Sequence, residues 1–169
     1  MIAFNKLFLI AFVASLQHIT ADRCPTSWIS WGHHCYRFEL EEKATWNDAE
    51  GRCVSLGSEG RPSHLASVHS KEEQNFLYEV FHLSTQKQET ISDWDPRAFI
   101  GLLVGNSATD LSWTDGSCVD YVNWYRGNEP NGFPNSAAQI SDGNGKLGRW
   151  CDQVSHPRTF YYICKMSQD

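Results

Sequence analysis

Residues 99–116 have the sequence FIGLLVGNSATDLSWTDG, in which a short apolar run is followed by a polar segment. The run at 99–104 has the length and apolar character of a buried strand. The chain that follows, from residue 106 to 148, is rich in Gly, Asn, Asp and Ser. Because such a segment loses backbone entropy on ordering and forms no core of its own, it needs disulfides or a metal ion to hold it.

The whole chain of 169 residues is long enough for one domain. Its 41% hydrophobic and 20% charged residues exclude a disordered tail and a multispan membrane protein. A net charge of −6 without any basic block excludes nucleic acid as the main partner. The six cysteines include no C-x-x-C pair and therefore favour three disulfides over a zinc site.

The first residues have the pattern of a secretory leader. Lys6 precedes a ten-residue apolar run at 7–16, broken by one serine, and Ala21 is a small residue suited to cleavage. The run is about half as long as a membrane-spanning helix, and a short buried helix is the alternative. We therefore predict a signal peptide over residues 1–21, a domain over residues 22–169, and a secreted, extracellular product with no membrane span.

Two helices are predicted from their caps and apolar stripes. Thr45 can cap a first helix, in which Trp46 and Cys53 share an apolar face. A second helix begins at the capping box of residues 70–73 and has an apolar stripe over residues 76–81. Both helices should cover a sheet.

Strands are predicted at residues 35–38, 99–104 and 160–164 and at Trp150, and a polar surface loop is predicted at residues 84–96. The histidines show no metal-binding spacing and are predicted to be surface or core residues.

Eight short motifs follow one another between residues 24 and 169: Cys24-Pro25-Thr26-Ser27-Trp28 with Cys35-Tyr36, Trp46-x-x-Ala49-x-x-x-Cys53, Leu65-Ala66-Ser67-Val68, Ile100-Gly101-Leu102, Trp113-Thr114-Asp115-Gly116, Asn123-Trp124, Glu129-Pro130-Asn131 and Tyr162-Ile163-Cys164. Their order resembles that of the C-type lectin domain family. The resemblance implies an α+β fold of the C-type lectin type, with two helices against antiparallel sheets, a long loop region and disulfide staples.

Glu129-Pro130-Asn131 is similar to the family's sugar-binding loop. A cis peptide bond between Glu129 and Pro130 would turn the Glu129 and Asn131 side chains to one side of the loop. Carboxylate and amide oxygens suit Ca²⁺, whose six to eight oxygen ligands can include two vicinal hydroxyls of a sugar. Taken alone, these residues would also form an ordinary turn.

The resemblance implies a calcium shell with four side-chain ligands: Glu129, Asn131, Asn135 and Asp152. The chain departs from the family pattern at Asn135, where the family has a second Glu, and at Cys151, where it has an Asn before the Asp. With two carboxylates instead of three, we expect weak calcium affinity, toward the ~10⁻⁴ to 10⁻³ M of extracellular calcium modules. Glu129, Asn131 and Asp152 would also contact the sugar, and Trp124 could stack on its apolar face.

The resemblance implies two disulfides: Cys24–Cys35 and Cys53–Cys164. The family's other conserved bridge is absent, because Ala137 and Ser155 occupy its positions, and Cys118 and Cys151 occur instead. A relocated bridge between Cys118 and Cys151 is therefore predicted, and a bridge from Cys118 to a second subunit is the alternative.

These expectations describe a secreted calcium-dependent lectin with no catalytic residues. The Glu-Pro-Asn motif resembles that of mannose-type members, which bind mannose, GlcNAc or fucose, and galactose or GalNAc stays open. The compact layout resembles invertebrate humoral lectins, which implies innate-immune recognition or agglutination of glycan-bearing cells, the latter requiring a homo-oligomer. The alternative is a lectin-like module that has lost sugar binding and recognises a protein partner, an interpretation supported by Asn135 and Cys151.

Overall fold

A computed structural model describes five parts of the chain: residues 24–87, 96–130, 136–141, 147–153 and 158–168. The predicted signal peptide lies outside the described residues. Two of the predicted calcium ligands, Asn131 and Asn135, lie outside them as well.

The described residues form two α-helices, α1 (Trp46–Ser55) and α2 (Lys71–Lys87), and both begin where the sequence predicts. The hydroxyl of Thr45 accepts a hydrogen bond from the amide three residues later, at 3.3 Å. The hydroxyl of Ser70 accepts from the Glu73 amide at 3.1 Å. Each cap satisfies an amide that has no partner inside its helix.

Helix α2 continues to Lys87, so the predicted start of a surface loop at Ser84 is wrong. Thr85 lies one turn beyond the last residue of the apolar stripe and is buried. Its hydroxyl donates to the carbonyl oxygen of His82 at 3.0 Å, within the helix. The hydrophobic pattern missed this turn because its buried position is a polar residue.

The described strands form one sheet in the order β1-β2-β8-β4-β6-β7, with β3 paired to β8 and β5 paired to β4. Their bounds are β1 (Ile29–Trp31), β2 (His34–Ala44), β3 (Ser63–Leu65), β4 (Arg97–Val104), β5 (Leu111–Trp113), β6 (Ser136–Ser141), β7 (Trp150–Gln153) and β8 (Phe160–Ser167). Strands β4 and β8 are parallel, and the other pairs are antiparallel. This is the predicted α+β architecture, with one parallel pair in place of the purely antiparallel pairing expected.

Strand β4 is buried on both of its faces, which explains its unbroken apolar run. Ile100 and Leu102 lie in the main core with Leu77 of α2. Phe99, which points to the opposite face of the strand, lies in a second core with Cys53 of α1. The sheet therefore separates two cores, and each helix covers one of them.

Gly101 occupies a position in β4 where there is no room for a side chain. A Cβ atom there would lie 2.6 Å from the carbonyl oxygen of Leu65. The Gly101 amide donates to the Ala66 carbonyl, and the Gly101 carbonyl accepts from the Thr114 amide, both at 3.0 Å. These bonds attach the turn after β5 to the centre of the sheet.

The structure forms two of the three predicted disulfides. Cys24–Cys35 attaches the first described residues to β2, and Cys53–Cys164 joins α1 to β8.

The third predicted disulfide, Cys118–Cys151, is not formed in the structure, and that prediction is corrected. Cys118 is exposed in the segment after β5, whereas Cys151 is buried in β7. The Cys151 thiol donates to Asn128 Oδ1 at 3.7 Å. The two cysteines therefore lie in different surroundings.

Candidate functional site

The polar segment after β5 lies along the edge strand β7 for part of its length. We call residues 117–130 the site strap. The amide of Trp150 donates to the Asn123 carbonyl at 2.8 Å, and the amide of Asp152 donates to the Asn128 carbonyl at 3.0 Å. These bonds fix the register of the strap on β7, so the two segments form one site.

The strap makes a tight turn before its last residues. The Asn128 amide donates to the Tyr125 carbonyl at 2.8 Å. Gly127 occupies the third position of this turn with φ of +84°, as a type II turn requires. The Gly127 amide donates to Glu129 Oε2 at 2.6 Å, so the carboxylate of Glu129 is directed back over the turn.

The peptide bond between Glu129 and Pro130 is trans, because no cis bond occurs among the described residues. The predicted cis bond is therefore wrong for this structure. Trans is the lower-energy form of an X–Pro bond, and in this form Glu129 makes the contact with the turn just described.

A backbone bond joins the segments that contain two of the four predicted calcium ligands. The Asp152 amide bonds to the Asn128 carbonyl. Glu129 is the next residue of the strap after Asn128. Glu129 is exposed, and Asp152 is partly exposed. The end of the strap and β7 thus place two carboxylates at the same edge of the sheet.

The chemistry of these donors fits a hard cation. Calcium prefers carboxylate and carbonyl oxygens, and both described side-chain donors are carboxylates. Cys151 precedes Asp152, and successive side chains of a strand point to opposite faces. Its buried sulfur contacts Asn128 instead. No cluster of three or more His, Cys, Asp or Glu ligands occurs among the described residues, so Glu129 and Asp152 would need amide or backbone oxygens to complete a shell.

Trp124 is part of an aromatic cluster that packs on Trp150. The rings of Trp113, Tyr121 and Trp124 contact the buried Trp150 ring edge-on, with centroids 5.7–5.8 Å apart. Edge-to-face geometry is the favoured arrangement of aromatic pairs. Trp124 therefore holds the strap against β7, and its stacking on a sugar remains a prediction.

Gln74 is a residue of the site that the sequence did not predict. It lies on α2 and is 3% exposed. Its Oε1 accepts from Trp150 Nε1 at 2.6 Å, and its Nε2 donates to the Gly148 carbonyl at 2.8 Å. One amide thus attaches the start of β7 to α2. Nothing in the local pattern distinguishes Gln74, because both partners lie more than 70 residues away.

Replacing Gln74 with leucine is expected to lower the free energy of unfolding by about 1–3 kcal/mol, because the buried Trp150 Nε1–H loses its acceptor. The Gly148 carbonyl keeps a hydrogen bond from Asn123 Nδ2 at 3.4 Å. Chemical denaturation measures the effect. Gln86→Leu is the matched control, because Gln86 is exposed on the same helix. Equal, small effects of the two substitutions would contradict the role assigned to Gln74.

The described arrangement agrees with the class of domain that the motif order implied. A family model described as the Lectin C-type domain matches residues 42–166. Echinoidin of Heliocidaris crassispina is 34% identical over 149 residues, which cover 85% of this chain and 96% of echinoidin. The chain belongs to the C-type lectin domain family.

Two further relatives resemble almost the whole chain. The alpha-N-acetylgalactosamine-specific lectin of Patiria pectinifera is 31% identical over 166 residues, which cover 95% of this chain and 93% of that lectin. The crystal structure of CEL-IV superposes with a TM-score of 0.73 at 38% identity, and covers 84% of this chain and 92% of CEL-IV. No described helix is long and apolar enough to cross a membrane.

Proposed function

We propose that the chain is a secreted, calcium-dependent lectin whose sugar site is formed by the end of the site strap and by β7. The observation that supports the proposal is the 3.0 Å hydrogen bond from the Asp152 amide to the carbonyl of Asn128, the residue before Glu129. The function is recognition, and the family is one of lectins rather than enzymes.

Glu129 and Asp152 would hold a calcium ion, and we add Asn131 and Asn135 to them from the sequence alone. When bound, the ion would supply the positive charge that attracts hydroxyl oxygens of a sugar. The carboxylates would accept hydrogen bonds from the same hydroxyls, and the Asn131 amide would donate to them. Ligands that contact both the ion and the sugar would select the arrangement of neighbouring hydroxyls.

The identity of the sugar is a separate part of the proposal. The Glu-Pro-Asn motif favours mannose, GlcNAc or fucose, whereas the name of the Patiria pectinifera relative indicates GalNAc for that protein. Together with the predicted leader, either choice supports extracellular recognition of glycans on cell or microbial surfaces. Agglutination in innate defence would also require a homo-oligomer.

One observation favours a second function, in which the domain recognises a protein without calcium or sugar. The Glu129 carboxylate accepts a hydrogen bond within the strap, from the Gly127 amide at 2.6 Å. This bond competes with coordination of an ion. The experiment that follows separates the two functions.

The test is binding of the purified chain to immobilised mannose, GlcNAc, fucose, galactose and GalNAc, with calcium and with a chelator. We expect binding to at least one sugar in calcium and its loss with the chelator. Binding to none of the sugars, or binding that the chelator leaves unchanged, would contradict the proposal and favour the protein-binding function.

A further inference from the structure

His69 lies at the junction of α2 and the start of the site strap. Its Nδ1 is 2.8 Å from Asp120 Oδ1. Its Nε2 is 3.1 Å from Ser67 Oγ and 3.2 Å from Ser117 Oγ. The side chain is 28% exposed, so this junction is only partly open to water.

The proton count at this junction determines the protonation state of the imidazole. The hydroxyls of Ser67 and Ser117 each donate their single proton to the carboxylate of Asp115. The two serine oxygens can therefore only accept at the His69 ring, and the Asp120 carboxylate is also an acceptor. Both ring nitrogens face acceptors, and only the imidazolium form carries a proton on both.

The carboxylates next to the ring are held in their charged form. The hydrogen bond from the imidazole lowers the pKa of Asp120. Burial raises the pKa of Asp115, but hydrogen bonds from the two serine hydroxyls and the Ser117 amide, together with the charge of Lys165, lower it. Asp120 contacts the ring directly, whereas Asp115 acts through the two serine hydroxyls.

Other charged groups face the same junction from β8, α2 and β2. Lys165 donates to Ser67 Oγ at 3.2 Å and to Glu73 Oε1 at 2.7 Å. Burial raises the pKa of Glu73, but the charge of Lys165 and the hydrogen bonds from Lys165, Tyr36 and the His69 amide together lower it. Burial, followed by the charge of Lys165, lowers the pKa of His34 on β2. The cluster thus has three carboxylates, Glu73, Asp115 and Asp120, for one lysine, and a charged His69 brings it closer to neutrality.

We propose that the imidazolium of His69 attaches the start of the site strap to the start of α2 and positions the strap for binding. Because only the charged ring can donate from both nitrogens, loss of a proton from the ring would remove one of these contacts. A neutral ring would leave one nitrogen lone pair facing an oxygen lone pair. The consequence for sugar binding rests on the proposed function, whereas the attachment of the strap by His69 does not.

The test is a histidine ¹⁵N NMR titration of the wild-type chain from about pH 5.5 to about pH 8.5, the range in which histidine titrates. The amide signals of residues 117–121 are followed in the same samples. At the low-pH end of the titration we expect both nitrogens of His69 to be protonated and the chemical shifts of these amides to be constant. When the ring loses a proton, the amide chemical shifts should change with the same midpoint. Exposed His33 provides the control, because His33→Gln should leave the amide titration unchanged.

Asp120→Asn makes the test sharper, since it keeps an acceptor oxygen near Nδ1 but removes the charge. Because the ring loses its charged partner, we expect the amide midpoint to move to lower pH than in the wild-type chain. The proposal is overturned if His69 is a neutral tautomer while the strap amides are in their low-pH position, or if those amides do not respond when His69 titrates. These readouts involve no sugar, so they are independent of the proposed function.

Discussion

Replacing Cys53 and Cys164 together with alanine is expected to lower the free energy of unfolding by about 4–5 kcal/mol. The disulfide joins residues with a sequence separation of 111, and closing so long a loop strongly restricts the unfolded chain in the chain-entropy model. Since small domains have a total stability of about 5–15 kcal/mol, the variant should retain little of it. Chemical denaturation under non-reducing conditions measures the loss.

Two control variants test the physical reason for this loss. Removing Cys24 and Cys35, with a sequence separation of 11, should cost less, about 3 kcal/mol in the same model. Cys118→Ala should change the stability by no more than about 0.5 kcal/mol, because Cys118 is exposed and forms no disulfide with a described residue. A larger loss in Cys118→Ala would contradict the structure and restore the predicted bridge to Cys151.

Replacing Asp152 with asparagine is expected to weaken calcium binding by roughly ten- to a hundredfold, the range for loss of one interaction with a charged group. Asparagine has nearly the same shape and keeps one oxygen, but it removes one of the two carboxylates that the described site offers. The backbone bond from residue 152 to Asn128 does not need the carboxylate, so the strap should stay attached. Calorimetric titration with calcium measures the change.

Asp48→Asn is the matched control for this substitution. Asp48 also follows a Trp and an Asn, but Trp46-Asn47-Asp48 forms the first turn of α1. There the Asp48 carboxylate accepts a hydrogen bond from Thr45 Oγ1 at 2.7 Å. Calcium affinity should not change in this variant. Equal weakening by both substitutions, or none by Asp152→Asn, would contradict the assignment of Asp152 as a ligand.

The elements that the sequence predicted are those whose signals are local. Thr45 and Ser70 cap their helices within four residues, and the unbroken apolar run of β4 is buried on both faces. Strands β1, β3 and β5 have three residues each, too few to show a period, and pairing with distant strands determines them.

The site was predicted in part for the same reason. The order of short motifs predicts Glu129 and Asp152 as ligands, and the backbone bond from Asp152 to Asn128 joins the two segments on which they lie. The sequence did not predict the bond of Glu129 to the Gly127 amide or the separation of Cys118 from Cys151, because both depend on how the strap lies on β7. Gln74 and His69 were missed because their partners lie on distant segments of the chain.

The central claim is that calcium and sugar bind to one site at the end of the strap. Because coupled binding is reciprocal, the most direct measurement is the calcium affinity of the wild-type chain with and without a saturating amount of the sugar it binds best. We expect the sugar to strengthen calcium binding by about fivefold or more. A calcium affinity that the sugar leaves unchanged, or the absence of calcium binding, would contradict the claim.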